Sequence, residues 1–298
     1  MRVAITGSTG LIGSALKPHL ESLGHEVIRV VRSNPTGTDI VWSPAESRID
    51  THALDGVNAV VHLAGAGIGD KRWTDDYKRE LTESRTKGTT LISEAIAAAD
   101  NGPTVFLSGS AIGIYGARGD EELDEASRPG DGFLADLCVK WEQATALAAA
   151  AGVRVVHLRT GIVLSAKGGA LKKQLPLFKF GLGGKMGNGG QWQSWISIDD
   201  EVAAIAHLLT TTTSGAVNLT APNPVTNLEF TKALGEVLHR PTFVPIPKFG
   251  PKLLLGGELA DNLLFSGQKV LPRILEADEG FTFAHPDLAT ALGALLDS

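Results

Sequence analysis

The chain has 298 residues, of which 43% are hydrophobic, so it can bury a large core in one large domain or two unequal ones. Its net charge of -6, without a long basic run, argues against nucleic-acid binding. One cysteine excludes an internal disulfide, no apolar run approaches the ~20 residues of a membrane span, and eight scattered histidines make a metal site unexpected.

The chain opens directly on an apolar strand, so we expect no signal peptide and place the protein in the cytoplasm. We expect no nucleic-acid, membrane or metal partner. The remaining partner is a small-molecule substrate, whose identity the sequence does not give. A homodimer is left open.

The first 32 residues predict a strand, a glycine-rich turn, a helix and a second strand. The apolar stretch Val3 to Ile5 runs into Gly7, Gly10 and Gly13 at three-residue spacing. Gly7 is expected to make the tight turn, Gly10 to admit a pyrophosphate, and Gly13 to bring the helix close. The helix N-terminus would supply N–H groups to phosphates. The turn therefore predicts a dinucleotide site that includes Gly7, Thr9, Gly10, Leu11, Ile12 and Gly13.

The end of the second strand selects the nucleotide. An NAD site usually has an Asp or Glu about 20 residues after the glycines, to bind the ribose 2′-hydroxyl. The strand over residues 26–31 is followed by Arg32, Ser33 and Asn34, without a carboxylate. Arg32 can form a forked contact with a 2′-phosphate. The predicted cofactor is NADP.

The chain then continues to alternate strands and helices up to about residue 160. This alternation predicts a parallel sheet covered on both faces, a Rossmann-type doubly wound α/β fold. The strand over 59–63 leads into small residues around Gly65, which would leave space beside a cofactor. Ligands of such sheets bind beyond the carboxyl ends of the strands. The further predicted strands are 39–42, 104–107 and 153–158, and the predicted helices are 75–99 and 133–151.

The pattern changes after residue 160. We predict a Rossmann domain over 1–160, with sheet elements returning in 190–220, and a smaller C-terminal α/β lobe over 161–298. The span 181–190 has six glycines and is predicted to be a mobile loop over the site. A helix is expected to follow from Ser197 to about Leu209.

Four side chains near the start of that helix each have two alternative roles. Trp192 and Trp195 could line a pocket or belong to the core of the small lobe. Asp199 and Asp200 are expected to be a helix cap and a solvated carboxylate rather than an acid–base pair.

Several motifs together resemble an extended short-chain dehydrogenase/reductase. They are Gly7-x-x-Gly10-x-x-Gly13, His62-Leu-Ala-Gly65, Ser108-Gly-Ser110 with Tyr115-Gly116, and Arg159-Thr-Gly161. Other motifs resemble an atypical branch labelled "epimerase family protein" or nucleoside-diphosphate-sugar epimerase: Arg72-Trp73, Ser84-Arg85, Phe133-Leu-Ala135, Trp141-Glu142 and Trp195 to Asp200. The tail from Ser266 to Phe283 is similar to that branch's own C-terminal domain.

The resemblance implies a Rossmann domain that binds NADP(H) and covers nearly the whole chain. It also implies the neighbours of the cofactor. These are Arg32, Leu63, Ala64, Arg85 and the region of Ile162. It does not identify the reaction, because proteins of this branch are named mostly by similarity. The branch usually has His before its Asp pair, where this chain has Ser197.

The larger family uses a Tyr as general acid or base and a Lys four residues later. Aligning Trp141-Glu142 with the usual hydrophobic–Glu pair places Leu134 at the Tyr position and Cys138 at the Lys position. A shifted register that uses Lys140 places Asp136 at the Tyr position. Neither register contains the Tyr–Lys pair.

Two hydroxyl groups remain as catalytic candidates. Ser110 best matches the family's Ser or Thr that binds a substrate oxygen, although counting back from Tyr115 selects Ala111 unless one residue is inserted. Tyr115 is the other candidate, although this Tyr is usually structural in the broader family. Cys138 is expected to be a buried, inert thiol.

Two functions stay open at this point. The first is an NADP-dependent oxidoreductase or epimerase, in which the cofactor performs the hydride chemistry. The second is a non-catalytic NADPH-binding module that has lost the Tyr–Lys pair. The fold alone does not distinguish them.

Overall fold

The computed structural model describes residues 1–50, 52–278 and 280–296. Its strands are β1 Arg2–Thr6, β2 Glu26–Val31, β3 Ile40–Ser43, β4 Arg48–Ile49, β5 Ala59–His62, β6 Val105–Ala111, β7 Glu122–Leu123, β8 Arg154–Thr160, β9 Ile162–Leu164, β10 Trp192–Gln193, β11 Trp195–Ser197, β12 Gly215–Leu219, β13 Val225–Thr226 and β14 Lys269–Val270.

The helices fall between and after these strands. They are α1 Leu11–Ser22, α2 Asp75–Ala98, α3 Phe133–Gln143, α4 Ala146–Ala150, α5 Gly169–Lys179, α6 Ile198–Leu208, α7 Asn227–Val237, α8 Phe249–Leu255, α9 Gly257–Leu263, α10 Arg273–Ala277 and α11 Leu288–Leu296. No helix in the described ranges is long and apolar enough to cross a bilayer.

Eight strands form the central sheet, in the order β12-β8-β6-β5-β1-β2-β3-β4. Every neighbouring pair is parallel except β3 with β4. Alternate strand residues enter different cores: Ile5 and Leu107 pack with α1 and α6, whereas Ala4 and Phe106 pack with α2 and α4. This architecture confirms the predicted Rossmann-type doubly wound sheet.

The C-terminal half contributes to the same sheet. Strand β12 pairs with β8 along its whole length, from Gly215 opposite Val156 to Leu219 opposite Thr160. Strand β14 pairs with β7, and buried Asn218 donates to the Leu271 carbonyl at 3.0 Å. The chain after residue 160 is therefore partly built into the first domain.

The predicted helix 133–151 is two helices, so the prediction of one continuous element was wrong. Thr145 lies between α3 and α4. Its Oγ1 donates to the Glu142 carbonyl at 2.8 Å and lies 3.0 Å from Nε2 of His157. A side-chain hydroxyl that competes for backbone carbonyls disfavours a helix interior, which accounts for the break.

The start of α6 differs in part from the expectation. Ser197 is the N-cap, and its hydroxyl accepts the N–H of Asp200 at 3.0 Å. Asp199 is exposed, but Asp200 is buried and is not a solvated carboxylate. It accepts the backbone N–H groups of Ala284 at 2.7 Å and His285 at 3.0 Å, which joins the chain around residue 285 to the first turn of α6.

The glycine-rich span 181–190 is held by hydrogen bonds to the segment around Ile246. The Ile246 N–H donates to the Lys185 carbonyl at 2.8 Å, and Gly187 N–H donates to the Ile246 carbonyl at 3.1 Å. A Cβ at Gly184 would collide with the Val244 carbonyl oxygen. The glycine at 184 therefore permits close packing, a use that the sequence pattern did not indicate.

The two tryptophans have different positions. Trp195 is fully buried in the main core, and its Nε1 donates to the Asn223 carbonyl at 3.1 Å. Trp192 is half-buried, donates to Asp120 Oδ1 at 2.7 Å, and has the Lys269 ammonium 4.8 Å from its ring centroid.

Candidate functional site

The glycine turn after β1 has the backbone that a dinucleotide site needs. Gly7 has φ of +66°, a conformation that a residue with Cβ rarely adopts. A Cβ there would also lie 2.8 Å from the Leu63 carbonyl carbon. A Cβ at Gly13 would collide with the Gly7 carbonyl oxygen, whereas one at Gly10 would meet only that oxygen, at 3.3 Å. Gly13 thus brings α1 close to the turn itself.

The N-terminus of α1 is open to an anion. It has no side-chain cap and no acidic residue in its first turn, whereas α2 is capped by Thr74 and has two aspartates in its first turn. The Ser8 hydroxyl in the turn is buried and has no hydrogen-bond partner in the described part of the chain. A buried unpaired hydroxyl beside free helix N–H groups fits a bound phosphate.

A buried pair of side chains fixes the two loops beside this turn. The Thr6 hydroxyl accepts the N–H groups of Leu63 at 3.1 Å and Ala64 at 3.2 Å, and lies 2.8 Å from His62 Nδ1. Burial lowers the pKa of His62 to about 3, so the ring is neutral and accepts the Thr6 proton. This brace keeps the chain after β5 against the glycine turn.

The end of β2 carries an uncommitted cation. Arg32 is exposed and forms no ion pair among the described residues. The first acid after β2 is Asp39, and it is engaged by Arg29, whose Nε lies 3.0 Å from Oδ1. The hydrogen bond from Arg29 lowers the pKa of Asp39. The carboxylate that could have bound a ribose hydroxyl is therefore occupied, while the guanidinium is free.

A second cation lies beside the chain after β5. Arg85 on α2 packs against Gly65, where a Cβ would lie 3.4 Å from its Cγ and Cζ. Its Nη1 donates to the Leu81 carbonyl at 3.1 Å, and its Cζ lies 5.0 Å from the Trp141 ring centroid. Burial lowers the pKa of Arg85. It has no carboxylate partner in the described ranges, so it can receive an anionic or polar ligand group.

Ser110 belongs to a buried network that starts at the end of β6. Its Oγ donates to Glu142 Oε1 at 2.7 Å, and Arg159 donates to both oxygens of Glu142, at 2.9 and 3.0 Å. Arg159 also donates to the Tyr115 hydroxyl at 2.9 Å, which donates to Asn218 Oδ1 at 2.7 Å. Burial alone would raise the pKa of Glu142, but Arg159 lowers it, so this acid is ionised.

This network defines what the two candidate hydroxyls can do. Tyr115 is fully buried and its hydroxyl is paired in both directions, which gives it a structural role between β12 and β8. Ser110 is 5% exposed and gives its proton to Glu142, so toward a ligand it can only accept a hydrogen bond. The catalytic function of Ser110 stays a prediction.

The residues of the two registers considered for α3 differ in burial. Asp136 and Lys140 are exposed, whereas Cys138 is buried and Leu134 packs on Gly113, where a Cβ would lie 3.4 Å from it. Leu134 and Cys138 therefore lie on the inner face of α3. Burial raises the pKa of Cys138 to about 12, as expected for an inert thiol.

The loops after β1, β2, β5 and β6 meet at one edge of the sheet, as the parallel order requires. The remaining predicted residues lie around them. Thr9 is exposed, Ile12 is half-buried, and Leu11 packs against Gly168. Ile162 opens β9, and its N–H donates to the Ser194 carbonyl at 2.9 Å. No group of three His, Cys, Asp or Glu side chains in the described ranges could hold a metal ion.

Sequence reasoning missed two parts of this site. The Thr6–His62 brace joins residues 56 positions apart, and its only sequence signal was a His at the end of an apolar strand. The partnership of Glu142 with Arg159 was also missed. A charged residue in a strand that is otherwise apolar signals a buried partner, which would have pointed to a nearby acid.

Comparison with known proteins gave matches along nearly the whole chain. A model of the NAD dependent epimerase/dehydratase family matches residues 3–220, and a model called Domain of unknown function (DUF1731) matches residues 246–295. "Epimerase family protein Mb2239" of Mycobacterium bovis is 45% identical over 293 residues, which are 98% of this chain and 96% of that protein.

Two solved structures are also similar. The crystal structure of human epimerase family protein SDR39U1 (isoform 2) with NADPH is 34% identical, with a TM-score of 0.91, and the match covers 100% of this chain and 99% of that one. A nucleoside-diphosphate sugar epimerase from Corynebacterium glutamicum is 39% identical, with a TM-score of 0.81, over 99% of this chain and 58% of that one.

Proposed function

Because this chain belongs to the NAD dependent epimerase/dehydratase family, we propose that it binds NADPH and acts as an oxidoreductase or epimerase-like enzyme on a small substrate. The family resemblance of its motifs, including the separate C-terminal domain, is confirmed by the matches. The substrate class is a carbonyl compound or a nucleotide sugar.

The observation that carries the choice of NADPH is the end of β2. Arg32 is exposed and unpaired in the described ranges, while Asp39 is engaged by Arg29. A free guanidinium without a competing carboxylate favours a ribose 2′-phosphate over a ribose 2′-hydroxyl. The similar human protein was crystallised with NADPH, which supports the same choice here.

Different residues of the site would bind different groups of the cofactor. The N-terminus of α1 and the Ser8 hydroxyl would hold the pyrophosphate, and Arg32 the 2′-phosphate. The Thr6–His62 brace fixes the backbone at Leu63, which would then be held beside the cofactor. Bound NADPH supplies hydride transfer.

Neither sequence register supplies the Tyr–Lys pair that would transfer a proton to or from the substrate. A positioned acid or base is typically worth about 10²–10⁴-fold in rate. In the register aligned on Trp141-Glu142, Leu134 and Cys138 stand in place of the larger family's Tyr and Lys, and both lie on the inner face of α3. At the end of β6, the Ser110 hydroxyl donates to the ionised carboxylate of Glu142. In the part of the chain that the structure describes, this is the hydroxyl–carboxylate pair at that position. We expect weak or absent activity on ordinary sugar-nucleotide substrates.

The same observation supports a second candidate, a non-catalytic module that binds NADPH and reports its presence. With an aliphatic side chain and a thiol of pKa about 12 on α3, binding could persist without turnover.

Binding and turnover are measured separately to decide between the candidates. Calorimetry with NADPH and NADH tests the cofactor assignment, and equal dissociation constants would contradict it. Reduction of aldehydes and ketones is then followed by the loss of NADPH absorbance. Epimerisation of UDP-sugars leaves the net oxidation state of the cofactor unchanged, so it is followed by chromatography of the sugar product. Turnover in either assay supports the enzyme, and tight NADPH binding without turnover in both supports the non-catalytic module.

A further inference from the structure

Two segments that are distant in sequence form one part of the surface. Residues 161–198 and 237–257 are joined by the hydrogen bonds of Ile246 with Lys185 and Gly187, and by Arg240 Nε, which donates to the Lys179 carbonyl at 2.9 Å. We call the exposed large apolar side chains of these segments, together with their Lys and Arg side chains, the basic apolar face. Its apolar members are Leu177, Phe180, Leu182, Phe243, Val244, Phe249, Leu253 and Leu254.

These side chains are strongly exposed. Phe180 is 82% exposed, Phe243 83% and Phe249 73%. Eight of the twelve large hydrophobic side chains that are exposed in the described ranges belong to this face. None of the residues in 241–255 is buried, although this stretch is mostly apolar. Many exposed large apolar side chains on two hydrogen-bonded segments indicate an interaction site.

The charge of the same segments is entirely positive. They contain eight Lys and Arg residues and no Asp or Glu, although the whole chain has a net charge of -6. Among the described residues only Lys252 of these eight forms an ion pair, with Asp261 at 2.7 Å. The other seven charges are available to an anionic partner.

The positive charge and the exposed aromatic side chains of the basic apolar face indicate what kind of partner it binds. A second copy bound through a two-fold axis would set these positive charges against each other, which is unfavourable. The rings of Phe180, Phe243 and Phe249 are mostly exposed, which suits insertion into a fluid partner. A depression of about 320 Å³ at the base of Phe243, lined also by Lys185 and Lys232, provides a place for an anionic headgroup.

From these observations we propose that the basic apolar face docks on the surface of an anionic lipid bilayer. The phenyl and leucyl side chains would enter the boundary between headgroups and acyl chains, and the Lys and Arg side chains would contact the phosphates. The sequence led us to expect no membrane partner because no run is long enough to span. Peripheral docking needs no span, so the proposal departs from that expectation.

Sedimentation with lipid vesicles tests the proposal on the full chain. Vesicles of phosphatidylcholine alone are compared with vesicles that also contain phosphatidylglycerol. We expect binding to the anionic vesicles, and weaker binding at high salt. The variant F180S/F243S/F249S should bind more weakly by about tenfold for each phenyl ring removed. The variant K179Q/K185Q/K248Q should lose roughly fivefold for each charge.

The matched control places the same change elsewhere on the surface. Leu23 and Leu147 are exposed apolar residues outside the two segments, so L23S/L147S should bind like the unaltered protein. Thermal melting verifies that each variant is folded. No binding of the folded protein to anionic vesicles would overturn the proposal, as would equal loss in the control. Self-association in solution that F180S/F243S/F249S abolishes would also overturn it, by assigning the face to a second copy.

Discussion

Arg32 and Asp39 show how single residues set cofactor choice at the end of β2. Replacing Arg32 by Ala removes the charged hydrogen bond to a 2′-phosphate, so the preference for NADPH over NADH should fall by about 1–3 kcal/mol. Calorimetry with both cofactors measures this. Arg48→Ala is the control, because Arg48 is exposed and pairs with Glu46. An unchanged preference in Arg32→Ala would show that another group binds the phosphate.

The Ser110–Glu142 contact makes a second residue-level prediction. If any carbonyl compound is turned over, Ser110→Ala should lower the rate far more than Cys138→Ala does, since it removes a hydroxyl that can accept a hydrogen bond from a ligand and that donates to Glu142. Cys138→Ala should leave the rate nearly unchanged, because burial keeps that thiol protonated. Single-turnover rates of NADPH oxidation compare the two variants. A folded but inactive Cys138→Ala protein would refute this assignment.

Glu201 on α6 is a buried acid with a measurable effect on stability. It is fully buried, accepts the Thr160 hydroxyl at 3.0 Å, and its Oε2 has no partner in the described ranges. Burial raises its pKa from 4.5 to about 8. The folded state therefore holds a proton that the unfolded state releases, and stability falls by about 1.4 kcal/mol per pH unit between those two values.

Glu201→Gln removes this titration, so the variant should gain on the natural protein as the pH rises from 5 toward 8. Urea unfolding at several pH values measures the difference. Asp199→Asn, on the exposed side of the same helix, should show no such trend. Parallel stability profiles for Glu201→Gln and the natural protein would mean that Glu201 is ionised when buried.

At the scale of elements, the sequence predicted the first half of the sheet closely. Strand β2 lies where the pattern placed it, and α2 differs from the predicted 75–99 by one residue. These elements have local signals, namely apolar periodicity, a glycine turn and a Thr cap. The break at Thr145 was missed because apolar periodicity does not show that its hydroxyl bonds to the Glu142 carbonyl and also contacts His157 of β8.

In the candidate site too, features with a local sequence signal were predicted, and features that depend on contacts between distant residues were not. The glycine turn and Arg32 could be read from sequence because each acts through its own backbone or charge. The burial of Tyr115, and the use of Ser110 as a donor to Glu142, depend on residues that only the fold brings together. The sequence identified these hydroxyls without showing which direction each one faces.

The paired segments around Gly184 allow an element-level test. Gly184→Ala should destabilise the protein by about 1–3 kcal/mol, because a Cβ would collide with the Val244 carbonyl. Gly190→Ala should change stability by less than about 0.5 kcal/mol, since the nearest atoms to its Cβ are 3.7 Å away on the Asn188 side chain. Thermal melting compares them. Equal melting temperatures would indicate that the span 181–190 is mobile, as the sequence pattern had predicted.

At the scale of the whole molecule, β12 couples the two halves of the chain. Residues 1–160 alone leave β8 paired with β6 on one side only, and leave the Tyr115 hydroxyl without its acceptor Asn218. We expect a chain truncated after residue 160 to lack a cooperative unfolding transition, since an uncovered strand edge and a buried hydroxyl proton without an acceptor are both unfavourable. Circular dichroism during heating tests this. A sharp transition in the truncated chain would show that the first 160 residues form an independent domain.

The position of β12 also has a consequence for synthesis on the ribosome. The sheet is ordered from its middle outward, with β1 and β5 central and β12 at one edge, so its last strand is translated long after the first. The nascent chain must wait for residue 219 to leave the exit tunnel before β8, which already pairs with β6, gains its second neighbour. Until then β8 is an open edge, and this interval is when the growing polypeptide is most exposed to aggregation and to chaperones.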